Sequence, residues 1–163
     1  MNLNKFFESL ANNSSRNFKI DQLNANSDNE VLREVVRLAL DPFTNFYIRK
    51  IPSYTQDKHI TTLENALNGL YDLSSRSVTG NAAIEYLRML LSSLSVDDAK
   101  VLERVIQKDL KCGVSISTAN DVWHGLVTEY PVMLCSQFEQ KLVDKVKFPA
   151  LVQTKMDGMR FNA

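Results

Sequence analysis

The sequence contains few of the residues that build metal sites and disulfide frameworks. Its 163 residues include two cysteines, two histidines and one tryptophan. Cys112 and Cys135 are too isolated to predict a disulfide framework or a zinc site. His59 and His124 stand at no metal-ligand spacing from a cysteine or a carboxylate. These absences exclude a disulfide-stapled scaffold and predict packed thiols, surface imidazoles and no metal site.

The sequence also has no net charge, no long apolar run and no recognisable secretion signal. Its 19 lysines and arginines balance 19 aspartates and glutamates, which argues against a strongly polybasic binder of nucleic acid or membranes. A locally basic surface could still contact phosphates. No apolar stretch is long enough to span a bilayer, and the residues after Met1 lack the layout of a signal peptide. We expect a cytosolic monomer without a membrane partner.

Residues 1–128 have the apolar periodicity of an all-helical domain, in which we expect about six or seven helices. Three polar segments predict helix starts. Segments 27–30 and 61–64 fit a capping box, in which a hydroxyl and a carboxylate satisfy free amides. Segment 95–98 places a hydroxyl before two acids, a pattern that also suits the helix dipole.

Apolar residues three or four positions apart follow these starts, which predicts buried helix faces. They are Val31, Leu32, Val35, Val36 and Ala39; Leu63, Ala66, Leu67 and Leu70; Ile84, Leu87, Leu91 and Leu94; and Val101, Leu102, Val105, Ile106 and Leu110. Two more helices are expected, one near the N-terminus and one over Thr118–Trp123, where Trp123 should be core. Pro42 and Gly113 are expected to end two helices, because proline lacks an amide donor and glycine accepts a left-handed backbone.

The pattern changes after about Pro131. Residues 130–134 and 148–153 are short apolar runs interrupted by proline, which is typical of strands or extended chain. We therefore expect a mainly α fold. A compact helical domain over 1–128 would be followed by a short β or extended segment over 129–163 that begins a second domain.

Two joints between predicted helices carry small and hydroxyl-bearing residues where a helix begins. Backbone amides at such a start can approach phosphate oxygens closely, and nearby lysines add charge. The candidate phosphate contacts are Thr79, Gly80 and Asn81 in the first joint, and Lys108, Lys111, Gly113, Ser115 and Ser117 in the second. Ordinary capping and turn chemistry is the alternative explanation.

The pattern K-x-D-G-x-R runs from Lys155 to Arg160. A lysine amine attacks phosphorus only when it is deprotonated, so burial or nearby positive charge must favour its neutral form. Arg160, carried round by the turn at Asp157 and Gly158, would supply that charge and a phosphate or ribose contact. Asp157 would orient the amine or a ribose hydroxyl. The pattern indicates covalent nucleotidyl transfer, and the alternative is a solvated lysine beside a tight turn.

Several segments follow a pattern met in one protein family. They are residues 79–85, 109–116, 119–120, 122–123, 147–150 and 155–160. The first four resemble the N-terminal domain of the ATP-dependent DNA ligases of T-even bacteriophages. The last two resemble the start of the nucleotidyltransferase domain of those ligases. The likeness extends more loosely to the first helices, so it covers nearly the whole chain.

The resemblance implies ATP- and Mg²⁺-dependent sealing of nicks in duplex DNA. In the family a lysine attacks the α-phosphate of ATP, AMP passes to the 5′-phosphate of the nick, and the 3′-hydroxyl then displaces AMP. By position, Lys155 would be the adenylylated nucleophile. Arg160 would contact the nucleotide or the 5′-phosphate of the nick, and Asp157 would also contact the nucleotide. Gln153 or Thr154 would face the adenine.

The resemblance also implies that the helical domain grips duplex DNA across its backbone and minor groove without reading sequence. The joints at 79–83 and 111–118 fall in that domain. The later family motifs, from a metal-binding carboxylate to a terminal OB domain, do not follow Lys155 here. We therefore expect this chain alone to bind nicked duplex weakly, without catalysis and without holding ATP or Mg²⁺ stably. If it is phage-encoded, it would work in the host cytoplasm.

Two other interpretations stay open. The chain could be a non-catalytic helical interaction or regulatory module that derives from a ligase. A fragment of an RNA ligase or capping enzyme would fit the lysine motif but not the helical domain. Reversing the charges of Lys108 and Lys111 would separate DNA binding from the first of these.

Overall fold

The computed structural model describes residues 1–56, 60–129, 139–147 and 149–150. Within these ranges the chain forms eight α-helices and no strand, so the prediction of a mainly α fold is confirmed. The helices are α1 (Leu3–Ala11), α2 (Arg16–Asn24), α3 (Glu30–Leu40), α4 (Leu63–Ser74), α5 (Gly80–Ser92), α6 (Val96–Ile106), α7 (Ile116–Val122) and α8 (Gln140–Val143). No helix in the described ranges is long and apolar enough to cross a membrane.

The chain divides into two compact units, Met1–Glu129 and Tyr130–Ala163. Helices α1–α7 lie in the first unit and α8 lies in the second. The extended runs predicted at 130–134 and 148–153 fall outside the described residues, except for Pro149 and Ala150, which belong to neither a helix nor a strand. Helix α8 was not predicted, because its four residues are too few to show a periodicity.

Helix α6 forms the centre of the first unit, since it packs against α1, α3, α4 and α5. Its buried residues are Ala99, Val101, Leu102, Val105 and Ile106. Full burial of each large aliphatic side chain contributes about 1.5–3 kcal/mol. Helices α2 and α7 pack against each other, and the Trp123 indole N–H donates to the Ser27 carbonyl oxygen at 3.1 Å. Trp123 packs against the core, which confirms its predicted place.

The helix starts differ in part from those predicted. The Asn29 side chain caps α3 by accepting the Leu32 amide at 2.9 Å, and Thr62 caps α4. The capping boxes predicted at 27–30 and 61–64 were therefore wrong in their first residue. Asn29 and Thr62 are equally good caps and stand directly before the first helical residue, where the geometry requires them. Ser95 caps α6 as predicted.

One of the two predicted helix ends was wrong. Helix α3 ends at Leu40, directly before Asp41 and Pro42, as expected. Helix α6 was predicted to reach Leu110 and stop at Gly113, but it ends at Ile106. Lys108 takes the left-handed conformation (φ 58°) that glycine usually supplies after a helix. A sequence rule that looks for glycine misses such a lysine.

Helix α2 and one face of α5 also escaped prediction. Only Lys19 and Leu23 are buried in α2, so no apolar stripe marks that helix. Ile84 was predicted to be core, but it is exposed, while Ala83 takes the inward position. Cys112 is buried and its pKa is raised by that burial, whereas His124 is exposed. Cys135 and His59 lie outside the described residues.

Candidate nucleic-acid interface

The first joint, between α4 and α5, turns sharply through a left-handed residue. Helix α4 ends at Ser74, and Arg76 follows with φ 61°. The Val78 amide donates to the Asp72 carbonyl oxygen at 3.1 Å, which folds the chain back over the last turn of α4. The chain therefore enters α5 from a fixed position.

Helix α5 begins without a capping side chain. Thr79 occupies the N-cap position but accepts no amide from the first turn, whereas the caps of α1–α4, α6 and α7 each accept one. Gly80 has φ 61°, and a Cβ added there would meet nothing within 4 Å. Thr79, Gly80 and Asn81 are all exposed. The first-turn amides thus face an open surface where an anion would satisfy them.

A groove of about 530 Å³ runs beside this helix start, and we call it the α5 groove. It is lined by residues 46–50, 78–81 and 83–84 together with Leu73 and Arg76. Its charged residues are Arg49, Lys50 and Arg76, and the described part of the chain contributes no carboxylate to it. The Arg76 guanidinium lies over the Tyr47 ring, 5.0 Å from the ring centroid.

Lys108, in the second joint, is partly buried and turned towards α3. Its ammonium donates to the carbonyl oxygens of Leu38 at 2.5 Å and Asp41 at 2.6 Å. Burial lowers the pKa of Lys108, and the Asp41 charge opposes that effect. These contacts give Lys108 a structural role at the C-terminal end of α3, where a cation also suits the helix dipole. Its contact with DNA stays a prediction.

The loop between α6 and α7 exposes the other predicted residues of this joint. Lys111, Gly113, Ser115 and Ser117 are all exposed. The Lys111 ammonium forms no hydrogen bond or ion pair with another described residue. The Ser115 hydroxyl accepts the Thr118 amide at 3.3 Å and lies 2.9 Å from the Ser117 hydroxyl. Ser115 therefore already caps α7, while the Lys111 charge is free for a ligand.

Lys19 contacts the loop between α6 and α7. Lys19 is only 7% exposed, and its Nζ atom donates to the Gly113 carbonyl oxygen over a long 3.5 Å. Gly113 has φ 67°, and a Cβ added to it would lie 2.7 Å from that Nζ atom. Glycine is therefore favoured here by its backbone conformation, and a larger residue would also displace the end of the Lys19 side chain.

The sequence prediction found only part of this surface. Tyr47, Arg49, Lys50 and Arg76 were missed, and the only signal in the sequence is a basic pair shortly after two aromatic residues. The predicted nucleotide-site residues Gln153, Lys155, Asp157 and Arg160 lie outside the described residues. Among the residues that are described, no cluster of histidine, cysteine and carboxylate side chains could hold a metal ion.

Comparison with known proteins relates this architecture to ligases. No protein-family model matches the sequence. The chain is 41% identical over 161 residues to the DNA ligases of Enterobacteria phage T4 and Enterobacteria phage T6. The match takes in 96% of this chain and 33% of each phage protein, so the chain spans about a third of the length of these curated relatives.

Two solved chains, Pmar-Lig_Pre. and Pmar-Lig_PreS3, share the fold with TM-scores of 0.67 and 0.62. Each match covers 73% of this chain and 28% of the solved chain, at 25% and 26% identity. The helical architecture is therefore similar to part of these solved chains. The sequence is similar to that of the phage DNA ligases over nearly its whole length, which confirms the resemblance inferred from it.

Proposed function

We propose that the helical unit Met1–Glu129 binds duplex DNA through the sugar–phosphate backbone without reading base sequence. The observation that carries this proposal is the 41% identity to phage DNA ligases over 96% of the chain. The uncapped start of α5 and the free Lys111 ammonium support it, because both are exposed and both attract anions. Thr79, Gly80, Asn81, Gly113, Ser115 and Ser117 would place backbone amides and small polar groups against phosphates.

Charge reversal at Lys111 tests this proposal. Lys111→Glu should weaken binding to nicked duplex by about tenfold or more at low salt, because it replaces an attraction to phosphate by a repulsion. Lys5→Glu, at an exposed lysine on α1, is the matched control and should change affinity little. Lys108→Glu is unsuitable for this purpose, since it would place a carboxylate against the carbonyl oxygens of Leu38 and Asp41. Equal loss in the Lys5 and Lys111 variants would argue against a local contact.

We further propose that the chain is the N-terminal part of an ATP-dependent ligase that seals nicked duplex as a monomer in the host cytoplasm. Lys155 would carry AMP. The nucleotide would be contacted by Arg160, Asp157 and Gln153, and Mg²⁺ would assist the reaction. This chain alone would be inactive, because it spans only about a third of the phage ligases. A lysine attacks ATP only in a pocket that holds the α-phosphate in position for the amine. A chimera of this chain with the remaining two thirds of phage T4 ligase should take up label from α-labelled ATP, and Lys155→Ala should abolish it. Label on the 163-residue chain itself would contradict the inactivity.

The alternative is a ligase-derived helical module whose role is interaction or regulation. Under that alternative the Lys111→Glu variant would bind a partner as well as the parent chain does. The parent chain would show no affinity for duplex at micromolar concentration. The duplex titration therefore separates the two functions directly.

A further inference from the structure

We propose that the α5 groove holds the sugar–phosphate backbone of one DNA strand, and that Tyr47 positions Arg76 to bind a phosphate of that strand. The inference rests on the proposed duplex binding and extends its surface beyond the two joints. The groove adjoins the first of them, because residues 79–81 form part of its wall.

The charge of the groove identifies the class of its ligand. Arg49, Lys50 and Arg76 line it, and no described carboxylate does. Arg49 and Lys50 form no hydrogen bond or ion pair with another described residue, and both are exposed. Cations that lack a partner within the described fold are available for an anionic ligand.

The apolar part of the groove narrows the choice of anion. Ile48, Val78, Ala83 and Ile84 belong to the apolar part of its lining, and the volume of about 530 Å³ falls in the usual range for ligand clefts. A free phosphate would leave these side chains uncovered. A DNA strand offers charged phosphates together with the C–H faces of its deoxyriboses, so it matches both parts of the groove.

The Tyr47 ring holds the Arg76 guanidinium in place. The guanidinium carbon lies 5.0 Å from the ring centroid, although 59% of the Tyr47 surface is exposed to solvent. This cation–π contact restricts the guanidinium and leaves its N–H groups available to bind phosphate. Part of the conformational entropy that an arginine loses on binding is thereby lost before the ligand arrives.

Four variants of the full chain test the proposal in titrations of nicked duplex over a salt series. Arg76→Ala should weaken binding about tenfold at low salt and lower the slope of log K against log salt by about one. Tyr47→Asn should weaken binding about threefold, since asparagine tolerates the left-handed backbone (φ 57°) but lacks the ring. Tyr47→Phe should bind like the parent chain. Arg33→Ala, at an exposed arginine of α3 outside the groove, is the control and should change neither affinity nor slope.

A double variant separates positioning from independent binding. If Tyr47 acts through Arg76, then Tyr47→Asn combined with Arg76→Ala should lose no more affinity than Arg76→Ala alone. Additive losses, or an Arg76→Ala variant that binds like Arg33→Ala, would overturn this inference while duplex binding stands.

A parent chain that binds no duplex would overturn both proposals. Binding of a polyglutamate peptide that Arg76→Ala abolishes, with no competition from duplex, would assign the groove to an acidic protein instead. Thermal unfolding by circular dichroism verifies that each variant is folded.

Discussion

The ammonium nitrogen of Lys108 lies 2.5 Å from the carbonyl oxygen of Leu38, which joins the end of α6 to the end of α3. The same nitrogen donates to the Asp41 carbonyl oxygen at 2.6 Å and lies 5.6 Å from the Phe46 ring centroid. One lysine therefore satisfies two carbonyl groups that α3 leaves without helical partners. Lys108, which the sequence predicts as a phosphate ligand, thus stabilises the C-terminal end of α3, and its contact with DNA stays a prediction.

Replacing Lys108 and Lys111 by methionine should separate stability from binding. Lys108→Met should lower the free energy of unfolding by about 1–3 kcal/mol, because two carbonyl oxygens lose a charged donor. Lys111→Met should change it by less than about 0.5 kcal/mol but should lower the salt slope of duplex binding by about one. Urea unfolding followed by the fluorescence of Trp123 measures the first effect, and duplex titration measures the second. If Lys108→Met instead lowered the salt slope and Lys111→Met lowered the free energy of unfolding, Lys108 would be the residue that contacts DNA.

Alanine at Gly113 should cost more stability than alanine at Gly80. Both glycines have positive φ, 67° and 61°, so both substitutions carry a backbone cost of about 1–2 kcal/mol. Only the Cβ at position 113 also meets the Nζ atom of Lys19, at 2.7 Å. We expect Lys19→Met, which removes the ammonium, to bring the cost of Gly113→Ala down to that of Gly80→Ala. An unchanged difference in the Lys19→Met background would mean that Lys19 does not cause it.

Tyr54 should make stability depend on pH in the alkaline range. Its hydroxyl donates to Glu103 at 2.8 Å, and burial, with that hydrogen bond and the Glu103 charge, raises the pKa of Tyr54 from 10.0 to about 12. Because the pKa of Tyr54 is higher in the folded than in the unfolded protein, its contribution to the free energy of unfolding is complete below pH 10. That contribution is lost as the pH rises to about 12. The stability difference between the parent chain and Tyr54→Phe should shrink across that window. A difference that stays constant with pH would refute the coupling, and Tyr71→Phe, at an exposed tyrosine, is the control.

Asn120 should contribute to the fold through both ends of its amide. Its Nδ2 donates to the Val127 carbonyl oxygen at 2.9 Å, and its Oδ1 accepts the Val127 amide at 3.0 Å. Asn120→Ala should lower the free energy of unfolding by about 1–3 kcal/mol, because it leaves both backbone groups of the buried Val127 without a partner. Asn120→Asp keeps the acceptor and loses the donor, so we expect its free energy of unfolding to lie between those of the parent and the alanine variant. Equal stability of all three proteins in urea unfolding would rule this bridge out.

The fold could be predicted because apolar periodicity is local in the sequence. Leu32 and Val35 of α3, or Leu102 and Val105 of α6, recur at the spacing that buries one face of a helix. Helix α2 gives no such signal, since one of its two buried side chains is a lysine. That lysine donates to the carbonyl oxygen of Gly113, which lies far along the chain, so its environment has no local signal.

The candidate interface was harder to predict because its parts meet only in the folded unit. Thr79, Gly80 and Asn81 were predicted from their composition at a helix start. Tyr47 and Arg76 come together across two separate joints, and no sequence pattern indicates the contact between their side chains. Lys108 is a further example, because no sequence pattern indicates its hydrogen bonds to the carbonyl oxygens at the end of α3.

The central claim is that the helical unit binds the DNA backbone without reading sequence. Fluorescence anisotropy with two nicked duplexes of unrelated sequence, titrated with the chain from about 50 to 200 mM salt, tests it most directly. We predict equal affinities for the two duplexes and a linear fall of log K with log salt. A clear preference for one sequence, or no binding to either duplex at micromolar protein and low salt, would contradict the claim.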